Sequence, residues 1–221
     1  MMEHSRELTR LRFGSEVRCS DGRFGELADV VIDPKRRRVT HLAVDTTELA
    51  SSRVLAPIEL AENPKSGSEI VLRCTMEAAR KLPPVQDVVA LQVGEPPSEA
   101  QPDDPDWDVG VRDVSWMPQS DTGAMIDYPE SEPEMMMTYD RVPKGEIEIR
   151  RSTPVATADG DDAGRLIGLL LDGGQITHFL LRSGPLWRRR DLAAPIKALE
   201  TLTTDNVTLG LTKAELRELR S

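Results

Sequence analysis

The sequence predicts a mainly β protein: two small antiparallel β-barrels in tandem, each closed by a short helix and joined by an acidic, proline-rich linker. Three observations predict it. Four sequence blocks recur in the same order in the two halves of the 221-residue chain, the signature of a duplicated unit. Each block has the length of a short strand and is bounded by turn formers. All the excess negative charge lies between the two halves. The boundaries that follow are an N-terminal arm over 1–9, a first barrel over 10–94, the linker over 95–145 and a second barrel over 146–221.

The first block is Asp21-Gly22-Arg23-Phe24-Gly25-Glu26-Leu27 followed by Val30-Val31-Ile32-Asp33, which aligns with 159–166 followed by Leu169-Leu170-Leu171-Asp172. Asp-Gly supplies a positive-φ hairpin turn in both copies, and Gly25 and Gly164 suit a bulge or sharp bend into a closed sheet. Val39-Thr40-His41-Leu42-Ala43-Val44 then matches Ile176-Thr177-His178-Phe179-Leu180-Leu181, entered through the turns Asp33-Pro34 and Asp172-Gly173-Gly174. The third block is Val54-Leu55-Ala56-Pro57-Ile58 against Leu192-Ala193-Ala194-Pro195-Ile196, and the fourth is Ile70-Val71-Leu72 against Val207-Thr208-Leu209. Each repeat then closes with a helix. Thr75 is placed to cap 76–82 and Thr212 to cap 213–219, with Glu215 three residues later completing a capping box.

Charge divides the chain. Residues 1–94 carry 14 basic and 14 acidic groups, 95–140 carry 1 and 13, and 141–221 carry 13 and 11, for balances of 0, −12 and +2. The middle segment also holds 7 prolines, so self-repulsion and fixed φ angles predict an extended or partly disordered connector. Within it Trp107, Val109, Val111, Val114, Trp116 and Met117, then Met135 to Met137 and Tyr139, are apolar anchors able to lie in a groove. A net charge of −10 argues against a general nucleic-acid binder, which needs a positive footprint on phosphate. No apolar run reaches membrane-helix length, and Glu3, Arg6, Glu7, Arg10 and Arg12 break up any secretory signal core, so a cytoplasmic location is expected.

The ordered set of a turn glycine, an apolar strand ending in Asp, a Val/Ile-Thr-His strand, an Ala-Pro-Ile strand and a Val-x-Leu strand leading to a Thr-capped helix resembles the PRC-barrel family. That family includes the cytoplasmic domain of the photosynthetic reaction-centre H subunit and the C-terminal domain of the ribosome maturation factor RimM. The likeness covers about 10–94 and 146–221. It implies a compact antiparallel barrel used for docking or assembly, with no catalytic residues to carry over.

Chemistry-bearing residues are few. His41 and His178 hold the same place in the two repeats, but one further histidine, His4, does not make a ligand set, and the expected role is packing in a strand. Asp159, Asp161 and Asp162 crowd one turn without the spacing of a calcium loop and read as a hairpin tip. Cys19 and Cys74 stand far from any paired-cysteine spacing and predict two half-buried reduced thiols. No phosphate-loop, dinucleotide, nucleophile-elbow or zinc-protease pattern occurs, so no metal, cofactor or catalytic site is expected.

The residues expected at a partner surface are therefore Trp187, Arg188, Arg189 and Arg190, with Trp107 and Trp116 from the linker, because aromatic and arginine side chains dominate interface energetics. A second basic run, Lys35 to Arg38, reads as a solvated loop tip. The expected function is non-enzymatic: a protein-protein docking or assembly module with an unidentified protein partner. An RNA- or ribosome-associated maturation factor is the alternative, and a structural or stress-response protein, with its two barrels paired or the chain self-associated, is the third reading.

Overall fold

The computed structural model describes residues 8–47, 53–62, 69–92, 107–116, 134–184 and 189–219. The protein is mainly β. Its first repeat runs β1 (Thr9–Arg12), β2 (Glu16–Cys19), β3 (Gly22–Asp33), β4 (Arg38–Thr46), β5 (Arg53–Pro57), a 3₁₀ turn at Ile58–Leu60, β6 (Glu69–Val71) and α1 (Met76–Ala79). Next come β7 (Gln86–Gln92), β8 (Trp107–Trp116) and β9 (Glu134–Pro143). The second repeat follows as β10 (Ile147–Ile149), β11 (Pro154–Ala156), β12 (Asp162–Asp172), β13 (Gln175–Ser183), β14 (Arg190–Pro195), a second 3₁₀ turn at Ile196–Ala198, β15 (Leu199–Leu202), β16 (Val207–Leu209) and α2 (Lys213–Glu218).

The repeats do not stand apart as two barrels on a string. Both belong to one unit, Met1–Pro83 with Glu146–Ser221, and share a single 13-stranded sheet. The joint is a reciprocal exchange of first strands. β1 pairs antiparallel with β12 of the other repeat, Leu11 opposite Leu169, while β10 pairs with β3, Ile149 opposite Val30. Val30 and Leu169 are equivalent positions of the duplicated sequence, so the two contacts are the same contact made twice, the pattern of an isologous interface. The hairpin turns repeat it: the Ile176 N–H donates to the Arg37 carbonyl at 2.8 Å and the Val39 N–H to the Gly174 carbonyl at 3.4 Å. The Lys35 to Arg38 run thus has a structural use. Its turn is tied at one end by Asp33, whose Oδ1 accepts the N–H groups of Lys35 (2.8 Å) and Arg36 (3.0 Å), and at the other by this contact.

Each repeat bends at its predicted glycine. A Cβ on Gly25 would stand 2.0 Å from the Asp45 carbonyl oxygen, and one on Gly164 2.3 Å from that of Arg182. Only a residue without a side chain lets the long strand approach its partner so closely. The β2–β3 and β11–β12 registers both slip beside these positions, as bulges do.

One apolar cluster holds both repeats, with Leu11, Val30, Ile32 and Leu42 from the first beside Ile149, Leu166, Leu169 and Phe179 from the second. Exchange therefore buries β1 and β10 in a common core. The helices cap as the sequence predicts: Thr75 Oγ1 accepts the Ala78 N–H at 3.3 Å, and Thr212 with Glu215 forms a full capping box. Both are shorter than expected, ending at Ala79 and Glu218. Each helix start is also tied to a hairpin turn, Asp21 accepting from the Met76 N–H (2.8 Å) and Asp159 from that of Lys213 (3.4 Å).

Residues 84–145 form a second unit. Where the charge balance predicts an unpaired connector, β8 and β9 form a three-stranded antiparallel sheet with β7 in the order β7-β9-β8. The alternation of Trp107, Val109 and Val111 is strand-like, and pairing satisfies backbone groups that a connector would leave to water. The expected boundary at 94 accordingly moves to the joint between 83 and 84. Among the described residues no helix is long and apolar enough to cross a membrane.

Candidate functional site

Comparison of equivalent positions in the two repeats locates the site. β3 and β4 face each other through Glu26 and Asp45, and Asp45 lies opposite Arg53. The same three places in β12, β13 and β14 hold Arg165, Arg182 and Asp191. The fold is common to both repeats and the charge is inverted. In the first repeat Arg53 is spent on Asp45 (2.7 Å) and on buried Asp29. In the second, Asp191 carries two guanidinium groups, Arg182 Nε at 2.9 Å and Arg12 Nη2 at 2.9 Å. Because Arg12 ends β1, one carboxylate ties the exchanged strand to its host repeat. Hydrogen bonding from Arg182, opposed by partial burial and aided by the charges of Arg182 and Arg12, holds the Asp191 carboxyl below the ordinary 3.8. That tie is therefore fully made above pH 3.8 and is lost as pH falls below it.

Around this anchor lies a cleft of about 790 Å³, inside the range of about 300–1,000 Å³ usual for ligand sites. Its walls carry seven basic side chains, Arg12, Arg151, Arg165, Arg182, Arg189, Lys213 and Arg217, against one acidic residue, Asp162. Four of the cations are committed. Arg12 and Arg182 hold Asp191, Lys213 reaches Asp161 at 3.3 Å, and Arg165 donates to the Ser152 carbonyl at 3.3 Å. Arg151, Arg189 and Arg217 have no acidic partner among the described residues. Like charges gathered in one concavity repel one another, so the cleft is electrostatically biased toward an anion. Phe13, Ile167 and Leu192, all half-buried, line the same cleft.

The structure brings some of the expected partner residues to this place. Arg189 lines the cleft, and exposed Arg190 opens β14 next to it. Trp187 and Arg188 lie outside the described residues. Trp107 belongs to the second unit, half-buried with the Arg141 guanidinium stacked over its ring at 5.3 Å. Trp116 closes the same strand, its side chain outside the described residues. Nine residues of strand separate the two tryptophans by about 30 Å, so they do not make one patch. Sequence reasoning misses Arg12, Arg151, Arg165, Arg182, Lys213 and Arg217, which come from five separate stretches of chain. The inversion of Glu26 and Asp45 to Arg165 and Arg182 between aligned repeats is the signal that marks those two.

The other chemistry-bearing residues are occupied locally, except His41, whose buried Nδ1 has no hydrogen-bond partner among the described residues. His41 Nδ1 sits 3.6 Å from Glu146 Oε2, longer than a hydrogen bond, while His178 Nδ1 meets Thr177 Oγ1 at 3.1 Å. Asp159 accepts from Thr157 and the α2 backbone, Asp161 pairs with Lys213, and Asp162 accepts the Gly164 N–H at 2.8 Å. Among the described residues no group of three His, Cys, Asp or Glu is placed to hold a metal ion.

Cys19 is buried and hydrogen-bonds Cys74; burial foremost, then the neighbouring Cys74, pushes its thiol up to about 12. The folded protein thus retains a proton that the unfolded chain releases above 9.0, and stability is expected to fall as pH rises beyond 9.0. Alkylation of native protein near neutral pH, followed by mass spectrometry, is expected to leave Cys19 unmodified until denaturant is added, since the thiolate is the reactive form. Rapid native labelling of Cys19 contradicts this placement.

Compared with known protein families and with curated proteins, the sequence matches none.

Proposed function

We propose that this chain is a non-enzymatic docking module, built from tandem PRC-barrel-like repeats, that captures a protein partner at the cationic cleft of its second repeat. The observation that carries this reading is the charge inversion between the repeats. The same backbone frame is neutralised internally in the first repeat, yet in the second it stands beside three guanidinium groups with no acidic partner among the described residues and beside half-buried apolar side chains. A purely structural duplication has no use for that asymmetry. Arginine beside apolar surface is the composition of protein-binding hot spots. The RNA- or ribosome-associated reading ranks second, because the basic run at Lys35 to Arg38 has its turn engaged at the joint between repeats rather than adding to the cleft.

The test is capture from the protein's own cells by full-length chain and by an Arg151→Glu/Arg217→Glu double variant, with and without nuclease. A protein that resists nuclease and is lost with the double variant is the expected result. Capture that the variant leaves unchanged removes the cleft from the docking reading, and ribosomal material that vanishes with nuclease promotes the RNA reading.

A further inference from the structure

Resting on that docking reading, we infer that the ligand of the cleft is a short segment of a partner protein in which carboxylates alternate with large apolar side chains. The cleft offers two kinds of surface at once. Arg151, Arg189 and Arg217 present guanidinium groups with no acidic partner among the described residues, and guanidinium forks match carboxylates bidentately. In the same cleft Phe13, Ile167 and Leu192 leave apolar area partly open to solvent. An inorganic anion satisfies the first surface and wastes the second, and an apolar peptide does the reverse. Side chains of an extended segment point alternately to opposite faces, so one alternating in acid and apolar residues carries both kinds of contact within a few residues.

Asp162 and the Asp191 anchor sharpen the choice. Asp191 is saturated by Arg12 and Arg182, which fixes the shape of the cleft before a ligand arrives, and rigid presentation lowers the entropic cost of binding. Asp162, which lines the cleft with its Oδ1 accepting from the Gly164 N–H, repels a uniform polyanion. The protein's overall charge of −10 disfavours long polyanions in the same sense, whereas a short segment brings only a few charges.

The experiment uses the full-length chain and a fluorescein-labelled peptide alternating Glu or Asp with Leu or Phe, read by fluorescence anisotropy at low salt. Two comparison peptides keep its length, one with the acids replaced by Gln and Asn, the other with the apolar residues replaced by Ser. The expected result is that the alternating peptide binds at least about tenfold more tightly than either, a difference set by losing one of the two surfaces. Rising salt should weaken it, and the Arg151→Glu/Arg217→Glu variant, whose two replaced side chains have no acidic partner among the described residues, should weaken it by about tenfold or more. Circular dichroism of that variant confirms that its fold is intact. Equal binding of the Ser-containing peptide, or displacement by inorganic phosphate or a short RNA at comparable concentration, overturns the inferred segment. If that happens while cellular capture still depends on Arg151 and Arg217, the ligand class is wrong and the docking reading stands.

Discussion

Truncating Leu11 to alanine is expected to destabilise the protein by about 2–5 kcal/mol, the usual cost of emptying a filled core position, and to do so mainly in the opposite repeat. Leu11 is 2% exposed and lies across from Leu169, and the backbone around it closes on β12 so tightly that a Cβ at Gly168 would stand 2.1 Å from the Leu11 carbonyl oxygen. A cavity there loosens the strand that β1 covers. Hydrogen exchange of the variant is expected to show amides of 168–171 losing protection before those of 22–33, although the substitution sits ten or so residues from β3 in sequence. Ile149→Ala is the mirror experiment, and its exposed amides are expected at 30–32, where Ile149 faces Val30. If each truncation weakens only its own repeat, the exchange of strands is not what holds the two together.

That exchange is the part of the fold least legible in the sequence. Turns, bulge glycines, strand order and helix caps were all readable, because each depends on residues near one another in the chain. Asp21 and Thr75, or Gly164 and the register slip beside it, need no knowledge of a distant partner. The pairing of β1 does. Its residues Thr9 to Arg12 fit against Val30 or against Leu169 equally well by pattern, since those positions are copies of each other, and nothing local distinguishes pairing within a repeat from pairing across. Gly14 (φ 78°) and Ser152 (φ 66°) mark the left-handed turns that send β1 and β10 toward their hosts, yet only the glycine announces such a turn by its type.

The strands β8 and β9 failed to stand out for a different reason. Proline and carboxylate content predict a connector, and within it the alternation of Trp107, Val109 and Val111 reads as a row of anchors as readily as a pleat. The cleft was half legible. Arg189 and Arg190 advertise themselves as a run, whereas Arg12 stands alone and Arg151 has only Arg150 beside it, and the two come to line one cleft through the exchange. The same event therefore joins the repeats and assembles the site: Arg12 arrives with β1 and is fixed there by Asp191.

Separate expression makes the largest difference between one interlocked unit and two barrels on a linker. Residues 1–83 and 146–221, produced together as two chains with a tag on one, are expected to co-purify as a 1:1 complex whose thermal midpoint rises with concentration, because association replaces the covalent connection. Each chain alone lacks the strand that covers its longest neighbour, β3 without β10 or β12 without β1, and leaves apolar residues such as Val30 or Leu169 uncovered. Since the exchanged contact is nearly the same in both directions, a lone half has one remedy, to pair its first strand with a second copy of itself. Size-exclusion chromatography with light scattering is thus expected to find homodimers or aggregates of the single halves and never stable folded monomers. The charge inversion adds a preference between these partners. In a homodimer of the second half the strand arriving at Arg182 and Asp191 is β10, which brings Arg150 where the native complex brings Arg12, so the anchor survives; in a homodimer of the first half Arg12 would meet Arg53, a like charge at the place of Asp191. The second half is therefore the better self-associating of the two, and two independent, monomeric, folded halves are the outcome that the shared sheet forbids.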